Sequence, residues 1–284
     1  MNKNDIYGLL ESLSERDLSI LESIRKYRAL TTALIRRLHF PNASDAATQP
    51  SPGHATEPAA SVATIRVLTR LESHRLIARL QRRIGGVRAG SSGITWQLGS
   101  IGERLLRLRH GESARRRYSE PSSAFVAHTL AVADLAVTMH ELDRSRAIEL
   151  LRVEAEPLCW RSFLSPHGAR AWVKPDLFAI TAGGDFEQHW FIEADNATEH
   201  APVIARKALA YRRYAASGIY QEQHGVFPAV TWIVPDAKRQ SGIKAVLAGE
   251  SNLAEVVKAG LFHVLTTGQF SAFITSATQG QPLS

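Results

Sequence analysis

The stretch from residue 171 to 195, AWVKPDLFAITAGGDFEQHWFIEAD, constrains this chain more than any other. Two β-prone runs flank a Gly183-Gly184-Asp185 connection, and that order predicts a hairpin of adjacent antiparallel strands. Pro175 and Asp176 interrupt the first run, read as one strand over residues 171–181. Glu193 and Asp195 are two apart on the second run, which puts their side chains on one face. The hairpin brings Asp176 beside that pair. Three carboxylates meeting there repel unless a proton or cation intervenes, and hard oxygen ligands suit Mg²⁺ or Mn²⁺. Such an ion can activate water and stabilise charge on a phosphodiester. Spacing alone also allows these acids merely to cap strands or to pair with Arg206 and Lys207.

The surroundings read as an α/β layer structure. Residues 125–142 form an amphipathic helix, and AIELLRVEAE is a strand. After the hairpin, APVIARKALAYRRYAAS is a long basic helix and PAVTWIVPD a buried strand. SGIKAVLAGE and SNLAEVVKA read as helical, and LFHVLTT as a last strand. This order predicts an α/β sandwich around a mixed sheet. Trp160, Trp172, Trp190 and Trp232 are expected in the core or on sheet faces.

Charge separates the first part of the chain from the rest. The net charge is +7, yet residues 121–284 hold 14 basic and 16 acidic side chains, so the excess lies upstream. Residues 61–117 alone carry 13 basic and 3 acidic residues. A localised arginine excess is the electrostatic footprint of a phosphate-backbone binder.

Residues 14–28 predict a helix capped by Ser14, with Leu18, Leu21 and Ile24 on one face. Thr31 or Thr32 caps a short second helix that Pro41 ends. Residues 42–60, small, polar and proline-rich, are expected to be a flexible insertion. Ser61 is the expected cap of a third helix, with Ile65, Leu68 and Leu71 or Leu76 buried. Its other faces then carry Thr64, Arg66, Thr69 and Arg70. Two β-prone stretches around a Gly/Ser-rich turn follow, bearing Arg79, Arg82, Arg83 and Arg88, and then the helix IGERLLRLRH. The order helix, helix, helix, hairpin, helix is that of a winged helix-turn-helix. In such a domain the third helix enters the major groove and the hairpin lies along flanking phosphates. A helical domain with a surface hairpin, or a protein-binding module, has the same order.

Two resemblances sit on these residues. KPDLFAI followed by WFIEAD resembles the PD-(D/E)xK nuclease superfamily, and Lys207 and Tyr211, four apart in ARKALAYRRY, are similar to its QxxxY helix motif. The pattern departs at one place, because Asp195 stands where that superfamily has a lysine. Lys207 on the next helix is the candidate substitute. The resemblance implies a catalytic set of Asp176, Glu193, Asp195 and Lys207, with a metal at the three acids. The departure leaves open whether the fold still cleaves DNA. Nearly end to end, the chain also resembles the replication-relaxation family of plasmids and conjugative elements, through LSERDLSILESIRKYRALTTALIRRLHF, AHTLAVADLAV, KPDLFAI, FIEADNATE and ARKALAYRRY.

The expected fold class is therefore α/β (α+β): a winged helix-turn-helix over residues 1–112, a linker over 113–123, and a restriction-endonuclease-like α/β sandwich over 124–284. The resemblance implies a DNA-binding accessory protein for replication, relaxation or mobilisation of a plasmid or integrative element. Its expected partners are double-stranded DNA, a relaxase or other transfer or replication protein, and a second copy of the chain. The alternatives are a Mg²⁺-dependent nickase or endonuclease and a winged-helix transcriptional regulator. A single cysteine, Cys159, excludes an intrachain disulfide. The absence of GxxxxGK[ST] leaves P-loop ATP hydrolysis unsupported. No run of about 18 apolar residues or leader-like start is read, so a cytoplasmic protein without a membrane partner is expected.

Overall fold

The computed structural model describes residues 3–42, 54–80, 93–113, 122–165 and 167–280. The chain divides into two compact units, Met1–Val137 and Thr138–Ser284.

In the first unit, α1 (Lys3–Ser12) precedes α2 (Glu15–Tyr27). Ser14 caps α2 reciprocally: its hydroxyl accepts from the Asp17 N–H at 3.2 Å, and the Asp17 carboxylate accepts from the Ser14 N–H at 3.0 Å. The buried face of α2 is Asp17, Ile20, Leu21, Ile24 and Tyr27. Strand β1 (Leu30–Thr31) runs into α3 (Thr32–His39), and Thr31 is the residue that caps it, accepting from the Leu34 N–H at 3.1 Å.

Helix α4 (Glu57–Ser73) starts a turn earlier than the expected Ser61. Thr56 is its cap, and Pro58 sits in the first turn, where its fixed φ suits a helix and its missing N–H costs nothing. The end of the expected insertion is therefore helical; residues 43–53 lie outside the described residues. Strands β2 (Ile77–Arg79) and β3 (Thr95–Leu98) pair antiparallel, with β1 on the other edge of β3. Helix α5 (Ser100–Arg109) crosses the start of β2 so closely that a Cβ on Gly102 would lie 2.0 Å from the Leu76 carbonyl oxygen. Only glycine fits that approach.

Helix α6 (Ser123–Arg144) carries the boundary between the units. Among the described helices it alone is long and apolar enough to cross a membrane by length and composition, and somewhat less than half of its apolar span is buried within the fold. A core helix meets the same two criteria.

The second unit is built on a five-stranded mixed sheet. Its strands are β4 (Glu149–Ala155), β7 (Leu177–Gly183), β8 (Phe186–Ala194), β9 (Ala229–Val234) and β10 (Phe262–Thr266), and they lie in the order β10-β9-β8-β7-β4. The β7–β8 hairpin forms as the Gly-Gly-Asp connection requires: Gly183 pairs with Phe186, and Gly184 takes a positive φ of 58°. Strands β8, β9 and β10 are mutually parallel, and parallel neighbours need crossovers. These are supplied by α7 (Ala201–Ala216) with α8 (Ile219–His224), and by α9 (Ala237–Gly249) with α10 (Ala254–Lys258). A final helix, α11 (Phe270–Thr278), packs on β7 and β8.

One expected strand is two. Residues 171–181 split at Pro175-Asp176 into β6 (Arg170–Val173) and β7, and β6 leaves the main sheet to pair with β5 (Arg161–Leu164). Proline supplies no N–H to a ladder, so the break falls there. Alternation then sorts the faces of β8. Phe191, Glu193 and Asp195 share one face, where Phe191 packs against Tyr211 and Tyr214 of α7. Trp190 points the other way, donating to the Thr181 hydroxyl at 2.9 Å and meeting Phe273 of α11.

Candidate functional site

The candidate residues fall into two sets, one on α4 and one at the carboxyl end of β8. On α4 the buried side is Ala60, Ala63, Thr64, Leu68 and Leu71. This corrects two expectations. Thr64 does not face outward; it is buried, and its hydroxyl donates to the Ala60 carbonyl at 2.8 Å. Ile65 is not core; it is 57% exposed, and Val62 is 68% exposed. The helix starts at Glu57, and its buried side runs through Ala60, Thr64, Leu68 and Leu71 instead. The outward row is Val62, Ile65, Arg66 and Thr69, whose i, i+3, i+4, i+7 spacing is one helix face.

Two other arginines of this unit already have acidic partners. Arg70 donates at 2.6 Å to Asp17, whose carboxylate is almost wholly buried, and so ties α4 to α2. Arg79 donates to Glu72 at 2.8 and 3.1 Å and lies 5.3 Å from the Trp96 ring centroid. Arg82, Arg83 and Arg88 lie outside the described residues.

In the second unit, Asp176, Glu193 and Asp195 are all buried. The β7–β8 register carried one step past Leu177↔Ile192 sets Asp176 opposite Glu193. Each acid has protein partners. Asp176 accepts from the Ala194 N–H at 2.7 Å. Glu193 accepts from the Lys207 ammonium at 2.8 Å through one oxygen and from the Tyr211 hydroxyl through the other. Asp195 takes a fork from Arg239, Nε at 2.8 Å and Nη2 at 2.7 Å, and also accepts from the Ala197 N–H at 2.7 Å. Ala197 has a positive φ of 60°, which that short turn holds in place. Arg239 also donates to the Glu199 carbonyl at 2.6 Å, and Lys207 reaches the Glu199 carboxylate at 2.7 Å. The loop from Asp195 to Glu199 is thereby pinned to α7 and α9.

The electrostatics follow from burial. Loss of water pushes the Glu193 carboxyl up to about 7; Lys207 and Tyr211 act against that shift and the Asp176 charge adds to it. Burial disfavours the Lys207 ammonium, but the charges of Glu193 and Asp176 outweigh it and hold the amine above the ordinary lysine range. Burial, and then Glu193, keeps the Tyr211 phenol protonated far above its usual value, so it acts as a donor. Cys159, close by, is buried and donates to the Pro175 carbonyl at 2.9 Å. Burial raises that thiol, which removes it as a nucleophile.

The structure thus brings together Asp176, Glu193 and Lys207, the predicted helix lysine, with Tyr211 beside them. Asp195 belongs to a separate pair with Arg239. Both oxygens of Glu193 and of Asp195 accept from protein donors, and among the described residues no three His, Cys, Asp or Glu side chains form a metal-holding group. As folded, this donor set does not fit a divalent ion. Sequence reasoning missed Arg239 and Glu199. The available signal was the Asp236 cap of α9, which accepts from the Arg239 N–H at 2.9 Å and fixes Arg239 in the first turn beside the end of β8.

A family described as replication-relaxation matches residues 21–230, which covers most of both units. No curated protein and no solved structure matches the chain.

Proposed function

The chain belongs to the replication-relaxation family, and on that premise we propose that it is a DNA-binding accessory protein for replication, relaxation or mobilisation of a plasmid or integrative element. The first unit is read as a winged helix, with α3 bracing α4 and the β2–β3 hairpin as the wing. The observation that carries the reading is the outward row of α4. Two exposed β-branched side chains, Val62 and Ile65, stand beside Arg66 and Thr69 with no core to cover them. Apolar side chains in a major groove meet thymine methyl groups, an arginine meets guanine or phosphate, and a threonine hydroxyl meets either type of base. The second unit is read as a nuclease-shaped domain whose acids are answered by cations of the same chain.

A gel-shift titration of a duplex at fixed salt tests this. Ile65→Ser with Arg66→Ala is expected to weaken binding by about 1–3 kcal/mol for each base-reading side chain removed. Unchanged affinity would remove α4 as the reading helix.

One observation favours a second reading, a metal-dependent nickase. Lys207 lies 2.8 Å from Glu193, so an ammonium does stand at the strand glutamate despite Asp195 occupying the usual lysine position. A divalent ion there would have to displace protein donors from the carboxylates. Supercoiled plasmid incubated with the protein and Mg²⁺ or Mn²⁺ decides between the readings. Nicking that is abolished in Asp176→Ala supports the enzyme, and intact plasmid supports the accessory protein.

A further inference from the structure

The β5–β6 hairpin stands outside the main sheet, and one of its faces carries partly exposed apolar side chains. Register pairs Ser162 with Trp172 and Leu164 with Arg170. Alternation turns Phe163 and Val173 into the core, where both are buried. The opposite face carries Leu164, 63% exposed, and Trp172, 45% exposed. Arg170 lies two residues before Trp172 in β6, hence on its face, and Lys174, just past the end of the strand, is exposed. Lys174 already holds its ammonium 4.4 Å from the ring centroid of Trp160.

Charge identifies the occupant. Residues 162–174 hold His167, Arg170 and Lys174 and no Asp or Glu, within a part of the chain whose acids outnumber its bases, 16 to 14 over residues 121–284; Arg161, on the core side of the hairpin, is already paired with Glu154. An exposed ring flanked by cations in an acid-free segment suits a π-face carried on a phosphate backbone. Every base offers such a face only when it is unpaired, because in a duplex both sides of a base are already stacked.

We propose that the outer face of the β5–β6 hairpin binds single-stranded DNA, with Trp172 stacking on an unpaired base and Arg170 and Lys174 holding the adjoining phosphates. The proposal rests on the DNA-binding reading above and extends it: the first unit takes the duplex, and this hairpin takes the strand exposed when a duplex opens.

Fluorescence anisotropy with the full-length protein, a labelled oligothymidylate and, separately, a labelled duplex tests it. Trp172→Ala is expected to weaken single-strand binding about tenfold or more and to leave duplex affinity unchanged. Trp172→Phe, which keeps a π-face, retains most of the single-strand affinity. Arg170→Ala with Lys174→Ala lowers the salt dependence of single-strand binding by one to two ions. Ile65→Ser with Arg66→Ala shows the reverse pattern, so failure of the duplex reading and failure of this one are separable. Equal single-strand affinity in wild type and in a Trp172→Ala protein with unchanged circular dichroism overturns the proposal. So does a Trp172→Ala protein that sediments as a smaller species than wild type, which would assign the face to an interface between copies.

Discussion

Helix α4 and the end of strand β8 both gather charge, and they treat it in opposite ways. On α4 one arginine, Arg70, is spent on the buried carboxylate of Asp17, while the row Val62, Ile65, Arg66 and Thr69 faces solvent. At β8 the charges turn inward: Glu193 meets Lys207 and Tyr211, and Asp195 meets Arg239. A surface that binds a large anionic ligand has to leave its donors available. A buried acid has to be neutralised or paired, since an isolated buried charge costs several kcal/mol. The first region leaves its row open to solvent, and the second is completed by its own chain.

Four changes break or sharpen that contrast. The largest expected effect comes from Lys207→Ala, which leaves Glu193 buried without its cation. The destabilisation is about 3–5 kcal/mol at pH 8 and smaller at pH 5.5, where Glu193 carries a proton. Chemical denaturation at the two pH values measures it, and duplex affinity of the folded protein stays at the wild-type level. An equal destabilisation at both pH values would mean that the ion pair is not what Lys207 contributes.

Next is the pH dependence of the wild type. Between its ordinary value of 4.5 and about 7, the Glu193 carboxyl keeps its proton in the folded chain and gives it up in the unfolded one. Unfolding therefore releases a proton, and stability falls as pH rises through that window, by about 3 kcal/mol at the size of this shift. Below the window the contribution is fully present. Glu193→Gln removes this part of the slope, and a side-chain carboxyl carbon titration by NMR reads the group directly. A Glu193 midpoint near 4.5 would show that Lys207 and Tyr211 fully offset burial and the Asp176 charge.

Gly102→Ala tests the first unit instead. Its new methyl collides with the Leu76 backbone, and a destabilisation of roughly 2–3 kcal/mol is expected in thermal unfolding, with duplex binding weakened because α5 and the β2–β3 sheet no longer seat together. Thr56→Ala is the mildest change. It removes the cap of α4 and costs about 1 kcal/mol. The outward face is untouched, so duplex affinity at low temperature holds.

Much of the local structure was legible from the sequence. Ser14 and Thr31 announced two helices because a hydroxyl at that position satisfies an otherwise orphaned N–H. The hairpin of β7 and β8 was written in Gly183-Gly184-Asp185 and the alternation beyond it. Less was legible where a signal depends on what lies opposite. Helix α1 reads as polar; its buried anchor Ile6 belongs to a helix that packs on α5. Strand β5 is too short and charged to stand out, and it exists because β6 needs a partner once Pro175 has broken it from β7. Thr64 and Ile65 exchanged roles because helix phase is set by all the core positions at once, and a threonine can be buried if its hydroxyl finds a carbonyl in the preceding turn.

The acid-bearing strands illustrate the division most clearly. Sequence alone determined that Glu193 and Asp195 share a face and that Asp176 lies across from them, because side-chain alternation and a two-residue turn are properties of the backbone. Which cations answer those acids was decided only by tertiary packing. Lys207 is 14 residues from Glu193 and Arg239 is 44 from Asp195, and no local rule links positions so far apart. They meet because crossover helices α7 and α9 pack on the face of the sheet that holds the acids. Burying a carboxylate in that interface is tolerable only with a donor in reach.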